Sequence, residues 1–435
     1  MKAVVITNPG GPQVLQVQEV DDPAVGDNEV LIQVEASALN RSDTVQREGF
    51  YPLPKGASPY PGLECSGKII AVGKSVTRWK VGDQDSTSAV LLNFCHFGLS
   101  NSVTLGCEIE MKAVVITNPG GPEVLQLQEV EDPAVGDNEV LIQVEASALN
   151  RSDTVQREGF YPLPKGASPY PGLECSGKII AVGKSVTRWK VGDQVCALLS
   201  GGGYAEKVAV PAGQLLPIPE GVSVRDAASF PEVACTVWST VFMMSRLSSG
   251  ETLLIHGGSS GIGTFAIQIA KHLGIRVFVT AGTEEKLAAC KNLGADVYIN
   301  YKSEDFVARV MEETGGKGVD VILDNVGGPY LQKNLESLAI DGRLFIIGFM
   351  GGAVTQVNLS CLLAKRLTIQ SAGLRNRSSE NKAQIVAEVE KHVWPAIAAG
   401  KVKPIVCETF PLSEAADAHR MMESSAQIGK ILLIP

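Results

Sequence analysis

Thr252-Leu253-Leu254-Ile255-His256-Gly257-Gly258-Ser259-Ser260-Gly261-Ile262-Gly263 runs without a break into Thr264-Phe265-Ala266-Ile267-Gln268-Ile269-Ala270-Lys271. An apolar run comes first, then four glycines within seven positions, then apolar residues at helical spacing. The pattern predicts a strand, a tight turn and a helix. Such a turn lets backbone N–H groups at a helix N-terminus approach a pyrophosphate, where the helix dipole also favours negative charge. Alone, the motif also fits a plain strand–helix connection. Its setting decides. Val277-Phe278-Val279-Thr280 follows as a second buried strand, so the unit is strand–helix–strand with a right-handed parallel crossover.

Outward from that unit the alternation continues. Strands are expected over 253–256, 276–280, 297–300, 319–324 and 344–348, with helices such as 284–293 and 329–339 between them. This predicts an α/β fold with a doubly wound parallel sheet. NAD-binding folds usually carry a carboxylate at the end of the second strand, for the ribose 2′-OH. Here Thr280-Ala281-Gly282-Thr283 leads instead into Glu284-Glu285-Lys286. The missing acid, with Lys286 one turn on and Tyr301 after the next strand, favours a 2′-phosphate and so NADP. The plainer alternative has Thr283 capping the helix and Lys286 solvated.

Before this region, 111–232 carries β signals. A strand is expected over 112–116. Val140, Ile142, Val144 and Ala146 alternate with Leu141, Gln143, Glu145 and Ser147, and 177–182 adds a strand before the Gly192-Asp193 turn. Short strands with frequent turns suggest a small barrel or sandwich. The tail, with a helix over 382–399 and a strand over 429–434, is placed to return to that β region.

The chain also contains a long repeat. Residues 1–84 recur as 111–194 with three differences, Gln13/Glu123, Val17/Leu127 and Asp21/Glu131. The copies part after Gln84 and Gln194. Copy two continues into strand and turn chemistry, whereas copy one enters Asp85-Ser86-Thr87-Ser88 and an apolar stretch without a period. We read 111–435 as the whole functional protein, 1–84 as an incomplete duplicate and 85–110 as a junction. Copy one has its own Asn40, Tyr51 and Glu64, but it lacks the strands that follow Val195. It has three possible fates: a passenger, an exchange with copy two, or a domain-swapped partner for another chain. Covalent contiguity favours copy two in the working body, leaving copy one a passenger.

Composition narrows the function classes. The 435 residues are 45% apolar and 20% charged, with a formal charge of −9, which argues against a nucleic-acid partner. No 18-residue apolar run suggests a membrane span, and Met1-Lys2-Ala3-Val4-Val5-Ile6 lacks signal-peptide architecture. Nine cysteines without a CxxC pair suit reduced thiols and the cytoplasm. The five histidines and the cysteines show no zinc-ligand spacing, so no metal is expected. His256, ending a buried strand, is taken as structural.

Ser147-Ala148-Leu149-Asn150-Arg151-Ser152-Asp153, Tyr170-Pro171-Gly172-Leu173-Glu174-Cys175-Ser176-Gly177 and the Gly258–Gly263 turn resemble the zinc-free quinone oxidoreductase branch of the medium-chain dehydrogenase/reductase superfamily. So do Pro231-Glu232, the run from Asn300 to Phe306, and Gly348-Phe349-Met350-Gly351-Gly352. Zinc-dependent members carry Cys where Asn150 stands and His where Leu173 stands. The resemblance implies a GroES-like barrel (111–233, completed by 374–435) beside a Rossmann domain (234–373). It implies NADPH as cofactor and hydride transfer to a quinone or an activated enone. Carried over by position, Asn150 and Tyr161 flank the nicotinamide and substrate, and Thr236 holds the carboxamide. Ser260, Gly261 and Ile262 meet the pyrophosphate; Gly282, Lys286 and Tyr301 take the adenosine phosphate. Asn325, Phe349, Met350, Leu374 and Arg375 line the remaining length of the cofactor. A homodimer is implied as well.

Plainer readings stand beside these. Tyr161 beside Phe160 and Pro162 also suits packing, and Asn150 before Arg151 also suits a bond to its own backbone. Asp153 and Glu174 are expected to brace the fold. A non-catalytic NADPH-binding sensor or crystallin-like protein is the alternative to the reductase.

Overall fold

The computed structural model describes residues 1–27, 29–37, 39, 41–49, 58–62, 64–76, 79–88 and 110–435. The chain divides into two units, Met1–Gly106 and Cys107–Pro435.

The larger unit contains a six-stranded parallel sheet. Its spatial order is Val297–Asn300, Arg276–Ala281, Thr252–His256, Val319–Asp324, Leu338–Ile346 and Thr368–Ser371. The first strand in sequence lies centrally and the chain winds outward on both sides of it, as in Rossmann folds. Successive side chains serve opposite faces. Leu253 and Ile255 join Phe265 and Ile269 of the helix Gly261–His272, while Leu254 joins Phe306, Val310 and Leu335 across the sheet. Covering both faces is why these strands are near-continuous apolar runs.

The second sheet runs Leu215–Pro217, Gln194–Leu198, Glu174–Val182, Glu139–Ala148, Lys430–Ile434 and Val406–Pro411. Lys207–Pro211 pairs along the first half of Glu139–Ala148, and the tail strand pairs its far end through Leu432 opposite Ala148. The tail therefore does return. Among the described residues the strand ladders do not close into a ring, but Val140, Ile142, Cys175, Val195, Val208 and Leu215, from five of these strands, share one core, as expected of a small barrel. The hairpin of Glu110–Ile116 with Leu125–Glu131 meets it at an Ala113–Ala205 bridge.

Other expectations shift at element ends. The helix expected over 329–339 is a turn, Gly328–Tyr330, and a shorter helix, Leu331–Ser337. Leu338 already belongs to the next strand, pairing with Val319, so that strand starts before 344 and ends at Ile346. The helix expected over 382–399 starts earlier, at Ser379 behind the Ser378 cap, and breaks into Ser379–His392 and Trp394–Ala398. Pro395 has no N–H to continue the ladder.

The smaller unit holds the hairpin Lys2–Ile6/Leu15–Glu19, the helix Arg41–Arg47 and a three-stranded sheet of Val30–Ser37, Glu64–Val72 and Gln84–Ser88. Its last strand runs past the point where the copies diverge. Asp85 to Ser88 pair with the edge of Glu64–Val72 despite their polar sequence, because ladder bonds come from the backbone. Asn40, Tyr51 and residues 89–109 of the 85–110 junction lie outside the described residues, as does the Glu64 side chain.

Candidate functional site

The site is built at the carboxyl ends of the parallel strands. Thr252–His256 delivers the glycine turn, and Ser260 caps the following helix, its Oγ accepting the Gly263 N–H at 3.0 Å. The amides of Gly261 and Ile262 open the helix, where an anion is favoured. A side chain at Gly261 would collide with the Lys430 stem, so only glycine fits there. Beneath the turn His256 is buried and bonds Thr280 Oγ1 at 3.0 Å and Asn334 Oδ1 at 2.7 Å. Asn334 in turn donates to Asp324, which also accepts the Val326 and Gly327 N–H groups. Burial pushes His256 down to about 4, so its ring is neutral and ties strand ends together.

Gly282 follows the second strand. A Cβ there would stand 2.7 Å from Tyr301 Oη and 3.1 Å from Lys302 Cε, so these three residues form one cradle. The Thr283 hydroxyl accepts the Lys286 N–H at 3.3 Å, while the Lys286 ammonium bonds the Ser425 carbonyl. Partial burial lowers the Lys286 ammonium, and the nearby Lys302 pushes the same way. Asn325, after the fourth strand, accepts the Met350 N–H at 3.0 Å, and Phe349 and Met350 are about half exposed beside it.

Asn150 precedes the helix Arg151–Arg157 and is buried. Its backbone N–H donates to Asp153 Oδ2 at 2.8 Å. Its Nδ2 donates to the Ala148 carbonyl at 3.3 Å and to Glu174 Oε1 at 3.0 Å. The expected bond to local backbone is present, and the side chain also reaches across to Glu174. The other member is Lys430, buried in the tail strand. It donates to Asn150 Oδ1 at 2.8 Å and the Leu149 carbonyl at 2.8 Å, and pairs with Glu174 at 2.6 Å. Three donors meet three acceptors, which a buried ammonium requires.

Glu174 also accepts the Glu232 N–H at 2.8 Å. Burial, then Glu174, pushes the Glu232 carboxyl up to about 7; its Oε1 accepts the Thr236 hydroxyl at 3.0 Å. Burial pushes Asp153 to about 6, while it accepts from Asn150, Gly172 and the Tyr204 hydroxyl. Asp153 braces the fold, but Glu174 touches the Asn150 side chain directly.

Tyr161 is half-buried, and burial raises its hydroxyl above the usual tyrosine range against an opposing pull from Arg375. The Arg375 guanidinium lies 4.8 Å over the Tyr161 ring. Arg375 thus sits at the Tyr161 end, while its neighbour Leu374 joins the core beside Phe265 and Trp238. Lys430, Glu232 and Lys302 carry no role in the sequence reading. Lys430 had one signal, a lysine opening the apolar run Ile431-Leu432-Leu433-Ile434. Among the described residues no group of three or more His, Cys, Asp or Glu is disposed to hold a metal.

Comparison with known proteins finds two family profiles. "Alcohol dehydrogenase GroES-like domain" matches residues 26–114 and 136–220, once in each copy, and "Zinc-binding dehydrogenase" matches 261–391. A quinone oxidoreductase of Rattus norvegicus is 34% identical over 74% of this chain and 98% of its own length. A 2-haloacrylate reductase of a Burkholderia species is 34% identical over 74% of this chain and 98% of its own. The crystal structure of Escherichia coli quinone oxidoreductase complexed with NADPH superposes with a TM-score of 0.67 at 33% identity, covering 75% of this chain and 99% of that one.

Proposed function

The chain belongs to the medium-chain dehydrogenase/reductase superfamily, in its quinone oxidoreductase-like part, and we propose that it reduces quinones or activated enones with NADPH, without zinc. One observation carries the proposal. The stem of a single buried lysine, Lys430, packs on the glycine turn while its ammonium holds Asn150 and Glu174, so the two halves of a cofactor cleft meet in one side chain. Two relatives, named for quinones and for 2-haloacrylate, support a substrate with a double bond conjugated to a carbonyl group.

Bound NADPH supplies the hydride. The chain's part is binding, orientation and proton supply. Ser260, Gly261 and Ile262 receive the pyrophosphate at the helix N-terminus. Gly282, Lys286 and Tyr301, with Lys302, take the adenosine phosphate, two cations standing where an NAD enzyme places a carboxylate. Asn325, Phe349 and Met350 line the length between, and Leu374 is left to the core in which it is buried. Thr236, whose hydroxyl donates to Glu232, offers its oxygen as acceptor to the carboxamide N–H, and Asn150 is held by Lys430 and Glu174. The Tyr161 hydroxyl, kept protonated by burial, donates to the electrophile's oxygen as charge gathers there.

The motifs around Asn300 and Gly348 further resemble the tumour-suppressor-inducible quinone oxidoreductases, and we assign the chain to that subgroup. The proposal includes a cytoplasmic homodimer in which the exposed edge strand Thr368–Ser371 pairs with that of a second copy; light scattering tests the pairing. The deciding experiment is NADPH oxidation, followed by absorbance, with an ortho-quinone. Steady oxidation that stops without the quinone is expected. Tight NADPH binding without turnover assigns the chain to the non-catalytic sensor or crystallin-like class. Tyr161→Phe is expected to lower kcat about tenfold or more while leaving NADPH binding unchanged; an unchanged kcat removes Tyr161 from the chemistry.

A further inference from the structure

Four lysine or arginine side chains are buried among the described residues: Arg157, Arg375, Lys382 and Lys430. Two are neutralised. Arg157 pairs with Glu158 at 3.2 Å and Glu423 at 2.5 Å, and Lys430 pairs with Glu174 at 2.6 Å. Arg375 and Lys382 have only neutral acceptors, and they share one residue. Arg375 Nε donates to the Ser200 carbonyl at 3.0 Å, and Lys382 Nζ donates to the Ser200 hydroxyl at 2.5 Å. Arg375 Nη2 donates to Gln156 Oε1 at 2.7 Å, and Nη1 is buried with no partner.

Two desolvated cations beside one serine, with no counter-charge in contact, are unfavourable unless an anion joins them. Lys382 responds to this: burial, then Arg375, pulls its ammonium down to about 8. Asp153 exerts a field on Arg375, but its oxygens are committed to Asn150, Gly172 and Tyr204. The pair lies at the substrate end, since the guanidinium stacks on Tyr161. Guanidinium matches carboxylate geometry and retains a free N–H for it.

We propose that Arg375, backed by Lys382, is a carboxylate subsite, so that the chain prefers activated alkenes bearing a carboxylate over neutral ones of the same shape. The preference rests on the reductase reading above; the subsite itself is tested separately from it.

The full chain is given 3-benzoylacrylate or its methyl ester, with NADPH, and the acid-to-ester ratio of kcat/KM is compared across variants. Taking the ratio cancels effects on cofactor binding or folding. Arg375→Gln is expected to lower it at least about tenfold, Arg375→Lys to keep part of it, and Lys382→Met to lower it about threefold. A ratio unmoved by Arg375→Gln, with both substrates losing equally, overturns the proposal and returns Arg375 to the cofactor. A second arm needs no turnover. Calorimetry on the chain with NADP⁺ measures binding of the saturated acid, 3-benzoylpropanoate, and of its ester. Tighter binding of the acid, lost in Arg375→Gln, supports the subsite even if neither alkene oxidises NADPH and the reductase reading fails. An acid that binds no tighter than its ester overturns the subsite whatever the rates.

Discussion

Residues 1–84 and 111–194 are the same sequence but for three positions, yet their side chains have different fates. Val114 is 1% exposed and Val4 41%; Val144 is 6% exposed and Val34 54%. What the repeat makes from its own residues is the same twice. Ile32 pairs with Ile69 as Ile142 pairs with Ile179, and Asp43 accepts the Gly62 N–H as Asp153 accepts that of Gly172, both at 3.2 Å. Arg47 and Arg157 each donate to a carbonyl 37 residues back, at 2.9 Å. What differs comes from elsewhere. Val114 and Leu149 are buried with Leu412, Ala418, Met422, Ile431 and Leu433, all later than the repeat. Local geometry is a property of the segment; burial belongs to the elements that close over it.

If the later elements make the difference, removing their contribution at Lys430 is the severest challenge. Lys430→Ala leaves Glu174 buried without its cation, and the loss is expected to reach about 3–5 kcal/mol. Urea unfolding that moves by less than about 1 kcal/mol would show that the tail does not hold copy two together. A twin substitution sharpens the contrast. Val144→Ala is expected to cost about 2 kcal/mol and Val34→Ala under about 0.5, so equal losses would erase the distinction.

Glu232, also outside the repeat, donates its backbone N–H to Glu174, and its buried carboxyl, within the field of that carboxylate, supplies a pH signature. Its folded carboxyl titrates at about 7 against 4.5 for the free group, so the folded state holds the extra proton between those values. Its contribution to stability therefore falls as pH rises from about 4.5 to 7, by at most about 1.4 kcal/mol per pH unit. Glu232→Gln is expected to flatten that slope in urea unfolding between pH 5 and 7; an identical slope breaks the assignment. The smallest effect is expected from deleting 1–110, which should leave the unfolding midpoint of the remaining chain and its rate of NADPH oxidation per mole unchanged. A loss of either would mean that copy one is more than a passenger.

The sequence by itself determined the parallel sheet, because both of its faces are covered and each strand is written as an apolar run such as Leu253-Leu254-Ile255 or Val321-Ile322-Leu323. It determined the glycine turn and the Thr283 cap, which depends on a residue three positions on, whereas the Ser260 cap came with the structure. The resemblance, not any spacing, implied that Asn150 and Leu173 stand where zinc-dependent members carry ligands. Only the tertiary structure brought Lys430 to Asn150, 280 residues earlier, Glu232 to Glu174, and Arg375 to Tyr161. Those pairings have no period or spacing to betray them. Lys430 reaches Asn150 because the tail strand pairs with Glu139–Ala148, and a buried charge then takes whatever partner the packing leaves within reach.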